Sequence, residues 1–463
     1  MKTKFIISAA ISLVIAGVIV FSLIHWRTKL TQPDVVILVT IDTLRADHLG
    51  CYGYPRKTSP FLDRLAADGV IFCNAFSSSS HTTPSHASIF TSLHPVQHKA
   101  LMNGTSLPES VLTMAEIFDE AGYKTAGFFS VNYLEGIGQG FDTFDWATDQ
   151  MNYYTRTADR TVDNAIRWLR RQKPADRLFL WIHFFDIHAP NKNPSDLDLE
   201  KALESEDEKK EFINYLAESH GIPRDFYKDE QSLFKTFNGY DAEIAFVDRE
   251  LERLWSMLEE EGRNDNALWI ITSDHGEGLG NHHYIEHSKK IYNEQLHVPL
   301  IICHGSGEIK PASVEALVRH VDLLPTLSEI LGFPLKERSK TIQGESLIPM
   351  IERDSRPPAT RYAFSQRRPR GKRKRGWEPG KHYTLQDRNY KYILHSEGPD
   401  EFFCLADDPF EAFNLIDTDS GEKERMRTRL NQYYSQLFSE SKFSDQTDIK
   451  PKYIKTLKSL GYL

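Results

Sequence analysis

The chain has 463 residues, of which 40% are hydrophobic and 26% are charged, and its formal net charge is -9. This composition is typical of a globular protein, and the length allows one large α/β domain with an appendage, or two domains. Because the charge is mildly acidic, we do not expect a nucleic acid as partner.

The N-terminal segment, residues 1–30, is predicted to be a membrane anchor with a short linker. Its centre, Phe5 to Ile24, is a run of twenty uncharged residues. At about 1.5 Å per residue such a helix spans about 30 Å, the thickness of the hydrocarbon core. A cleaved signal peptide is the alternative, but no clear small-x-small cleavage site follows. Basic residues flank both sides and orient the segment weakly; we expect a single-pass membrane protein with its catalytic domain on the extracytoplasmic side.

After this segment, apolar strand patterns alternate with amphipathic helix patterns. Val35 to Ile41 is continuous in apolar residues, which predicts a buried parallel strand ending at Asp42. Further strands are predicted at 70–75, 124–129, 178–184, 268–272 and 298–303, and helices at 111–121, 158–171 and 238–258. This βα alternation predicts an α/β domain with a largely parallel sheet.

The stretch Ser80 to Phe90 begins as a loop rich in Ser, Thr and His and continues as an apolar helix pattern. Thr82 and Thr83 therefore fall at or just before a helix N-terminus, where unpaired N–H groups and the helix dipole suit an oxyanion. A hydroxyl nucleophile could act there. The alternative is a Thr N-cap with Pro84 in the first turn.

Two more strands end in chemically active residues. Residues 178–184 lead to His188, and residues 268–272 lead to Asp274 and His275. In a doubly wound sheet, ligands bind beyond the carboxyl ends of strands. Asp and neutral imidazole are good ligands for a divalent metal. A His beside Pro is also a common turn residue, so both interpretations of His188 stay open.

Two charged segments interrupt or follow this pattern. Residues 191–230, rich in Glu and Lys, are predicted to form a solvent-exposed helical insertion. Gln366 to Arg375 contains seven Lys or Arg residues and is either a surface loop or a site for anionic head groups or polyanions. Short strand patterns at 390–394 and 401–405 predict a small antiparallel subdomain. We therefore expect a catalytic domain at 31–360 and a C-terminal subdomain at 361–463.

Five motifs of this chain, in this order, resemble the sulfatase family of the alkaline-phosphatase-like superfamily: Ile41 to Gly50, the Thr-x-Pro-Ser loop at 82–85, Ser273 to Glu277, His297 to Leu300 and Val321 to Thr326. The resemblance covers nearly everything from Val35 onward. It implies an α/β alkaline-phosphatase-like fold with a large, mostly parallel sheet, helices on both faces and a small C-terminal antiparallel subdomain.

The resemblance also implies roles for individual residues. It implies four metal ligands: Asp42, Thr82, Asp274 and His275. It implies a nucleophile at Thr82, and contacts from His188 and His287 to the anionic group of the substrate. His86 stands where sulfatases have an arginine, and Asn132 lies where many sulfatases carry a Gly-Lys-Trp-His signature. We expect both to bind substrate.

The chain departs from sulfatases at the nucleophile. Sulfatases oxidise a Cys or Ser to formylglycine, and Thr82 cannot yield the same aldehyde, so no formylglycine is expected. A Thr nucleophile instead resembles the phosphodiesterases of the superfamily and its membrane-anchored transferases of phosphoethanolamine or glycerolphosphate. Those transferases usually have several membrane spans.

The sequence thus predicts a metal-dependent hydrolase or transferase that cleaves a phosphate mono- or diester through Thr82. One divalent ion is expected to lower the pKa of the Thr82 hydroxyl; the donor set favours Zn²⁺ or Mn²⁺ over Ca²⁺. The substrate is expected to be an anionic ester on a lipid head group or glycan. The alternatives are a sulfuric ester hydrolase and a non-catalytic descendant that binds an anionic glycan or lipid.

Overall fold

The strand predicted at the start of the domain, β1 (Val35–Ile41), lies fully buried in a nine-stranded sheet. A computed structural model describes residues 30–146, 155–188, 205–335, 341–352, 360–367, 379–441, 449–450 and 453–459. The other strands of the large sheet are β2 (Val70–Phe76), β3 (Lys124–Phe129), β4 (Thr143–Trp146), β5 (Leu178–Phe184), β6 (Ala267–Thr272), β9 (His297–Val298), β10 (Leu300–His304) and β11 (Ala312–Arg319). The short strands β7 (Gly278–Leu279) and β8 (Ile285–Glu286) pair with each other.

The order of strands in the large sheet is β11-β2-β10-β6-β1-β5-β3-β4, with β9 paired to β2. β1 is parallel to both neighbours, with Val35 opposite Leu178 of β5 and Ala267 of β6. β10 is antiparallel to β2 and β6. The predicted largely parallel sheet is confirmed, with β10 and the short β9 as its antiparallel members.

Helices cover both faces of this sheet, as expected. The described helices are α1 (Pro60–Asp68), α2 (Thr82–Thr91), α3 (Pro95–His98), α4 (Met114–Glu120), α5 (Ala158–Leu169), α6 (Glu206–Ser219), α7 (Glu230–Glu260), α8 (Asn293–Leu296), α9 (Leu323–Leu331), α10 (Ile348–Ile351), α11 (Gly421–Glu440) and α12 (Ile454–Ser459). On one face, α1, α5, α6 and α7 bury their apolar sides in a common core with alternate residues of β1 and β5. On the other face, Phe90 of α2 contacts Trp181 of β5 and Phe118 of α4 stacks on Phe179.

Several helix bounds differ from the sequence prediction for local reasons. The helix predicted from Val111 begins at Met114, because Thr113 caps it in a capping box with Glu116. The helix predicted at 238–258 extends over Glu230–Glu260, because its N-cap is Asp229, about two turns upstream of the predicted start. Boundaries of this kind depend on which of several polar residues becomes the cap.

The predicted helical insertion at 191–230 is present in its described part as α6, and most of its charged residues are exposed, but the prediction that it is solvated throughout is wrong, because one face is buried. Helix α6 buries Phe212 and Leu216, and Ile222 follows in the same core. Phe212 and Leu216 are spaced i, i+4, so they share one helix face. The many charged residues around them made this apolar face hard to recognise in the sequence. Residues 191–204 lie outside the described residues.

The C-terminal part contains the predicted small antiparallel sheet, in the order β12 (Ala363–Gln366), β13 (His382–Gln386), β14 (Tyr390–His395) and β15 (Glu401–Cys404). Helix α11 packs on it through Met426, Leu430 and Leu437. Gln366 bridges to Ser79 and donates its N–H to the Ser78 carbonyl at 3.0 Å. This sheet therefore contacts the loop that leads into α2.

Two predicted segments lie wholly or mostly outside the described residues: the apolar run Phe5 to Ile24, and the basic run beyond Arg367. Within the described ranges, no helix has both the length and the apolar character that crossing a bilayer requires. Residues Pro33–Leu463 form one unit by their contacts, and the division at residue 360 stays a prediction.

Candidate active site

The site forms at the carboxyl edge of the large sheet, where β1, β5 and β6 end side by side. Asp42 follows β1, and Asp274 and His275 follow β6, its parallel neighbour. His188 follows β5, the neighbour on the other side of β1. Three mostly apolar strands thus bring polar residues from distant parts of the sequence to one edge, as the sequence predicted.

Asp42, Asp274 and His275 form a cluster of metal-ligand type. One donor atom of each lies within 4.8 Å of the others, and all three side chains are fully buried. Both carboxylate oxygens of Asp42, Oδ2 of Asp274 and Nε2 of His275 have no hydrogen-bond partner. Nδ1 of His275 lies 2.9 Å from the Gly276 carbonyl, which requires a proton on Nδ1 and leaves a lone pair on Nε2. Four buried ligand atoms without a hydrogen-bond partner are what a site for a divalent cation requires.

The electrostatics of the cluster also fit a cation. Burial, followed by the neighbouring Asp274 and Glu277 carboxylates, raises the pKa of Asp42 well above its usual range. Burial raises the pKa of Asp274 to about 6 and lowers that of His275 to about 4. Both directions mean that the protein alone disfavours charge here, and a bound divalent ion would offset the repulsion between the carboxylates.

Thr82 is the first residue of α2, and its side chain is fully buried. The N-cap position belongs to His81, so the alternative that Thr82 is the N-cap is wrong. Its Oγ1 has no hydrogen bond of ordinary geometry, yet it lies close enough to Asp42 to lower the pKa of that carboxyl. A hydroxyl at the helix N-terminus is therefore placed beside the metal-ligand cluster without a structural hydrogen bond to hold it.

His188 and His287 are brought together although they lie far apart in sequence. Their ring centroids are 4.8 Å apart in an edge-on contact, and the His287 ring lies 4.6 Å from that of His275. Nδ1 of His287 is 3.2 Å from Oε2 of Glu277. The His287 ring thus contacts both His275 of the cluster and His188.

His86 and Asn132 occupy different surroundings. Nδ1 of His86 lies 2.9 Å from the Thr82 carbonyl and Nε2 lies 3.0 Å from Oγ1 of Thr40, so both ring nitrogens face groups of the protein. Asn132 follows β3 at the same edge of the sheet, and its Oδ1 is buried without a hydrogen-bond partner. The substrate contacts expected for both residues stay predictions.

Sequence reasoning missed three residues beside the cluster. His183 of β5 places Nε2 3.7 Å from Oδ2 of Asp42, and Thr40 of β1 lies opposite it in register. Glu277 supports His287. The sequence did contain an indication of two of them, because Thr40 and His183 are polar residues inside otherwise apolar strand patterns.

The comparisons with known proteins agree with this geometry. The pattern of the family described as "Sulfatase" matches residues 34–333, and that of "N-sulphoglucosamine sulphohydrolase, C-terminal" matches residues 280–437. The chain is 27% identical to an ulvan-active sulfatase of Formosa agariphila, over 95% of this chain and 90% of that protein. It is 25% identical to the multifunctional alkaline phosphatase superfamily protein PehA of Trinickia caryophylli, over 82% and 90% of the two chains.

The fold has solved counterparts as well. The phosphonate monoester hydrolase of Agrobacterium radiobacter superposes with a TM-score of 0.69 at 21% identity, covering 91% of this chain and 98% of that one. This likeness concerns the fold, whereas the family match extends over most of the sequence and includes Asp42, Thr82 and the Asp274–His275 pair. The chain belongs to the sulfatase family, a family of hydrolases in the alkaline-phosphatase-like superfamily.

Proposed function

We propose that this chain is a metal-dependent hydrolase or transferase that cleaves a phosphate mono- or diester with the Thr82 hydroxyl as nucleophile. The observation that carries the proposal is Oγ1 of Thr82: it is buried at the start of α2, its interaction with the Asp42 carboxyl lowers the pKa of that group, and it has no hydrogen bond of ordinary geometry. A hydroxyl held in this way has lost the partners it would have in water, so a reacting group can take their place.

Asp42, Asp274 and His275 would hold the metal, with Thr82 as a further oxygen ligand. Enzymes of this superfamily use a divalent metal, and the mixed set of oxygen and nitrogen donors favours Zn²⁺ or Mn²⁺ over Ca²⁺. When bound, such an ion would lower the pKa of a neighbouring hydroxyl and offset negative charge on a phosphoryl group.

The residues of the chain then carry the two steps. Oγ1 of Thr82 loses its proton and bonds to phosphorus, while the bond from phosphorus to the leaving oxygen breaks and that oxygen takes up a proton. The N-terminus of α2, His188 and His287 stabilise charge on the non-bridging oxygens. In the second step the oxygen of water, or of an acceptor hydroxyl, bonds to phosphorus, the bond from phosphorus to Oγ1 of Thr82 breaks, and the proton released by the attacking oxygen returns to Oγ1.

Sulfate ester hydrolysis is the second candidate, because the family is named for it and the Formosa relative is an ulvan-active sulfatase. Position 82 disfavours it, since Thr cannot become formylglycine. The four cysteines, Cys51, Cys73, Cys303 and Cys404, are not in the Thr82 loop. In either case we propose that the substrate is an anionic ester on a glycan or a lipid head group. The proposal also includes a membrane anchor at 5–24 and an extracytoplasmic catalytic domain.

A substrate panel tests the choice between the two reactions. Chelated full-length enzyme is reloaded with Zn²⁺ or Mn²⁺ and given chromogenic phosphate monoester, phosphate diester, phosphonate monoester and sulfate ester. We expect turnover of a phosphate ester to exceed that of the sulfate ester, and Thr82→Ser to retain part of it because the hydroxyl is kept. Faster turnover of the sulfate ester would decide for the sulfatase.

A further inference from the structure

A second group of metal-ligand type lies outside the active site. Asp47 and His48 belong to a short 3-10 helix, Ala46–His48, that follows β1, and His220 ends helix α6. One donor atom of each residue lies within 4.8 Å of the others. None of these residues belongs to the Asp42 cluster, and the mechanism above uses none of them.

His48 is oriented as a metal ligand would be. Its ring is fully buried, and Nδ1 lies 2.9 Å from Oδ1 of Asp241. Asp241 also accepts hydrogen bonds from Tyr54 at 2.7 Å and from Arg56 at 2.5 Å, so it acts as an acceptor and Nδ1 carries the proton. Nε2 of His48 is then a lone pair, and it is buried without a partner. A carboxylate that fixes the far nitrogen of an imidazole is typical of metal-ligating histidines.

His220 and Asp47 complete the group. His220 is buried, and its Nε2 lies 3.2 Å from the Asp47 carbonyl and 3.4 Å from Oδ2 of Asp47, so Nε2 carries the proton. Its Nδ1 has no hydrogen-bond partner and is the lone pair that would bind the ion. Asp47 also pairs with Arg45 at 2.9 and 2.6 Å. Because a carboxylate offers about four lone-pair sites, both oxygens can accept from Arg45 and still bind a cation. The C-terminal end of α6 adds the negative end of a helix dipole.

The surroundings suit an ion with an open coordination position. A cavity of about 170 Å³ adjoins the group, and its lining includes Arg45, Asp47, His220, Glu294 and Glu411. Glu411 pairs with Lys391 at 2.7 Å and Glu294 pairs with His282 at 3.1 Å, so the negative charge available to an ion comes from Asp47. On the opposite side, the rings of Tyr54 and Tyr240 lie 4.5 and 4.8 Å from that of His48 and exclude water.

We propose that Asp47, His48 and His220 form a second site, separate from the catalytic one, for a divalent transition-metal ion of the Zn²⁺ class. Two imidazoles and one carboxylate are donors that Zn²⁺ accepts readily, whereas Ca²⁺ and Mg²⁺ prefer oxygen alone. The ion joins the end of α6 to the segment after β1. Through Asp47 it also supports Arg45, which donates hydrogen bonds to the Glu277 carbonyl at 3.1 Å and to Asn281 at 2.8 Å.

Metal counting on the full chain tests this site separately from the catalytic one. Chelated protein is incubated with Zn²⁺, passed through a desalting column and analysed for zinc. We expect about two ions per chain in the parent, about one in His220→Ala and about one in Asp274→Ala. We choose His220 because His48 is hydrogen-bonded to the buried Asp241, and replacing His48 would leave that carboxylate without one of its donors. His304→Ala serves as the control, since its ring is buried but belongs to neither group.

Thermal unfolding gives a second readout. In Asp274→Ala, added Zn²⁺ should raise Tm, because only the second site can bind it, and the further change His220→Ala should remove that rise. A parent that binds a single ion, lost in Asp274→Ala and kept in His220→Ala, would overturn the proposal while leaving the catalytic site intact. Loss of zinc from His304→Ala would overturn it too.

Discussion

Glu277 connects the metal-ligand cluster to the imidazoles that face the substrate. Its carboxylate accepts the Nδ1 proton of His287, and its negative charge acts on both Asp42 and His275. Burial raises the pKa of Glu277 to about 7, while His188 and His275 oppose this rise. The ionised form, which can accept the His287 proton, therefore accumulates as the pH rises through about 7.

Glu277→Gln should lower kcat by about 10- to 100-fold with a smaller change in KM, because the variant leaves His287 without a charged acceptor. Parent kcat should also rise with pH through about 7, and this limb should be missing in the variant. Steady-state kinetics over this pH range measure both effects. Glu286→Gln is the matched control, because Glu286 is exposed and pairs with Lys289. A variant that keeps the parent pH profile would contradict the role of Glu277.

At the residue scale, the sequence predicts the ends of strands better than their interiors. Asp42, Asp274 and His275 could be found because each follows a continuous apolar run that marks a buried strand. His183 could not be assigned, because its contact with Asp42 depends on the register between β1 and β5. The orientation of His86 depends on Thr40, which is 46 residues away in sequence.

At the scale of elements, helix α1 shows why local patterns were incomplete. Ser59 stands at its N-cap position but makes no side-chain cap. Asp248 of α7 accepts the N–H groups of Phe61 and Leu62 at 2.9 and 2.8 Å instead. A carboxylate from a distant helix thus replaces the local cap and fixes α1 to α7, and no pattern near residue 60 indicates it.

Asp248→Ala should lower the free energy of unfolding by about 1 to 2 kcal/mol, because two buried N–H groups lose their acceptor. Urea unfolding of the metal-loaded chain measures the change. The stability of Asp248→Asn should lie between those of the parent and of Asp248→Ala, since one acceptor oxygen remains. Glu252→Ala, on the same helix in an exposed pair with Arg64, should cost less than about 1 kcal/mol. Equal losses for Ala at 248 and at 252 would rule out the cap.

At the scale of the whole molecule, the α/β architecture followed from the alternation of apolar strand and helix patterns. The direction of β10 could not be predicted, because a short apolar run does not indicate whether a strand is parallel or antiparallel. The break at Pro299, which separates β9 from β10, was not predicted either. Helix α11 was missed although Met426, Leu430 and Leu437 lie on one face, since charged residues dominate that stretch. Of the four strands of the small sheet, only β14 and β15 were predicted from the sequence.

This architecture gives the C-terminal part a place beside the catalytic loop. The Ser365 hydroxyl donates to the Ser77 carbonyl at 2.5 Å, and Arg367 donates to the Lys289 carbonyl at 3.1 Å. Strand β12 therefore holds both the loop before Thr82 and the segment after His287. The position of Thr82 thus depends on contacts from both parts of the chain.

Trapping the phosphorylated enzyme tests most directly whether Thr82 is the nucleophile. Full-length, metal-loaded enzyme turning over a chromogenic phosphate ester is quenched in acid, and the peptide that contains Thr82 is examined by mass spectrometry. We expect phosphorylated Thr82 in the parent and a turnover lower by several orders of magnitude in Thr82→Ala. Near-parental turnover in Thr82→Ala, with no phosphothreonine in the parent, would contradict this role of Thr82.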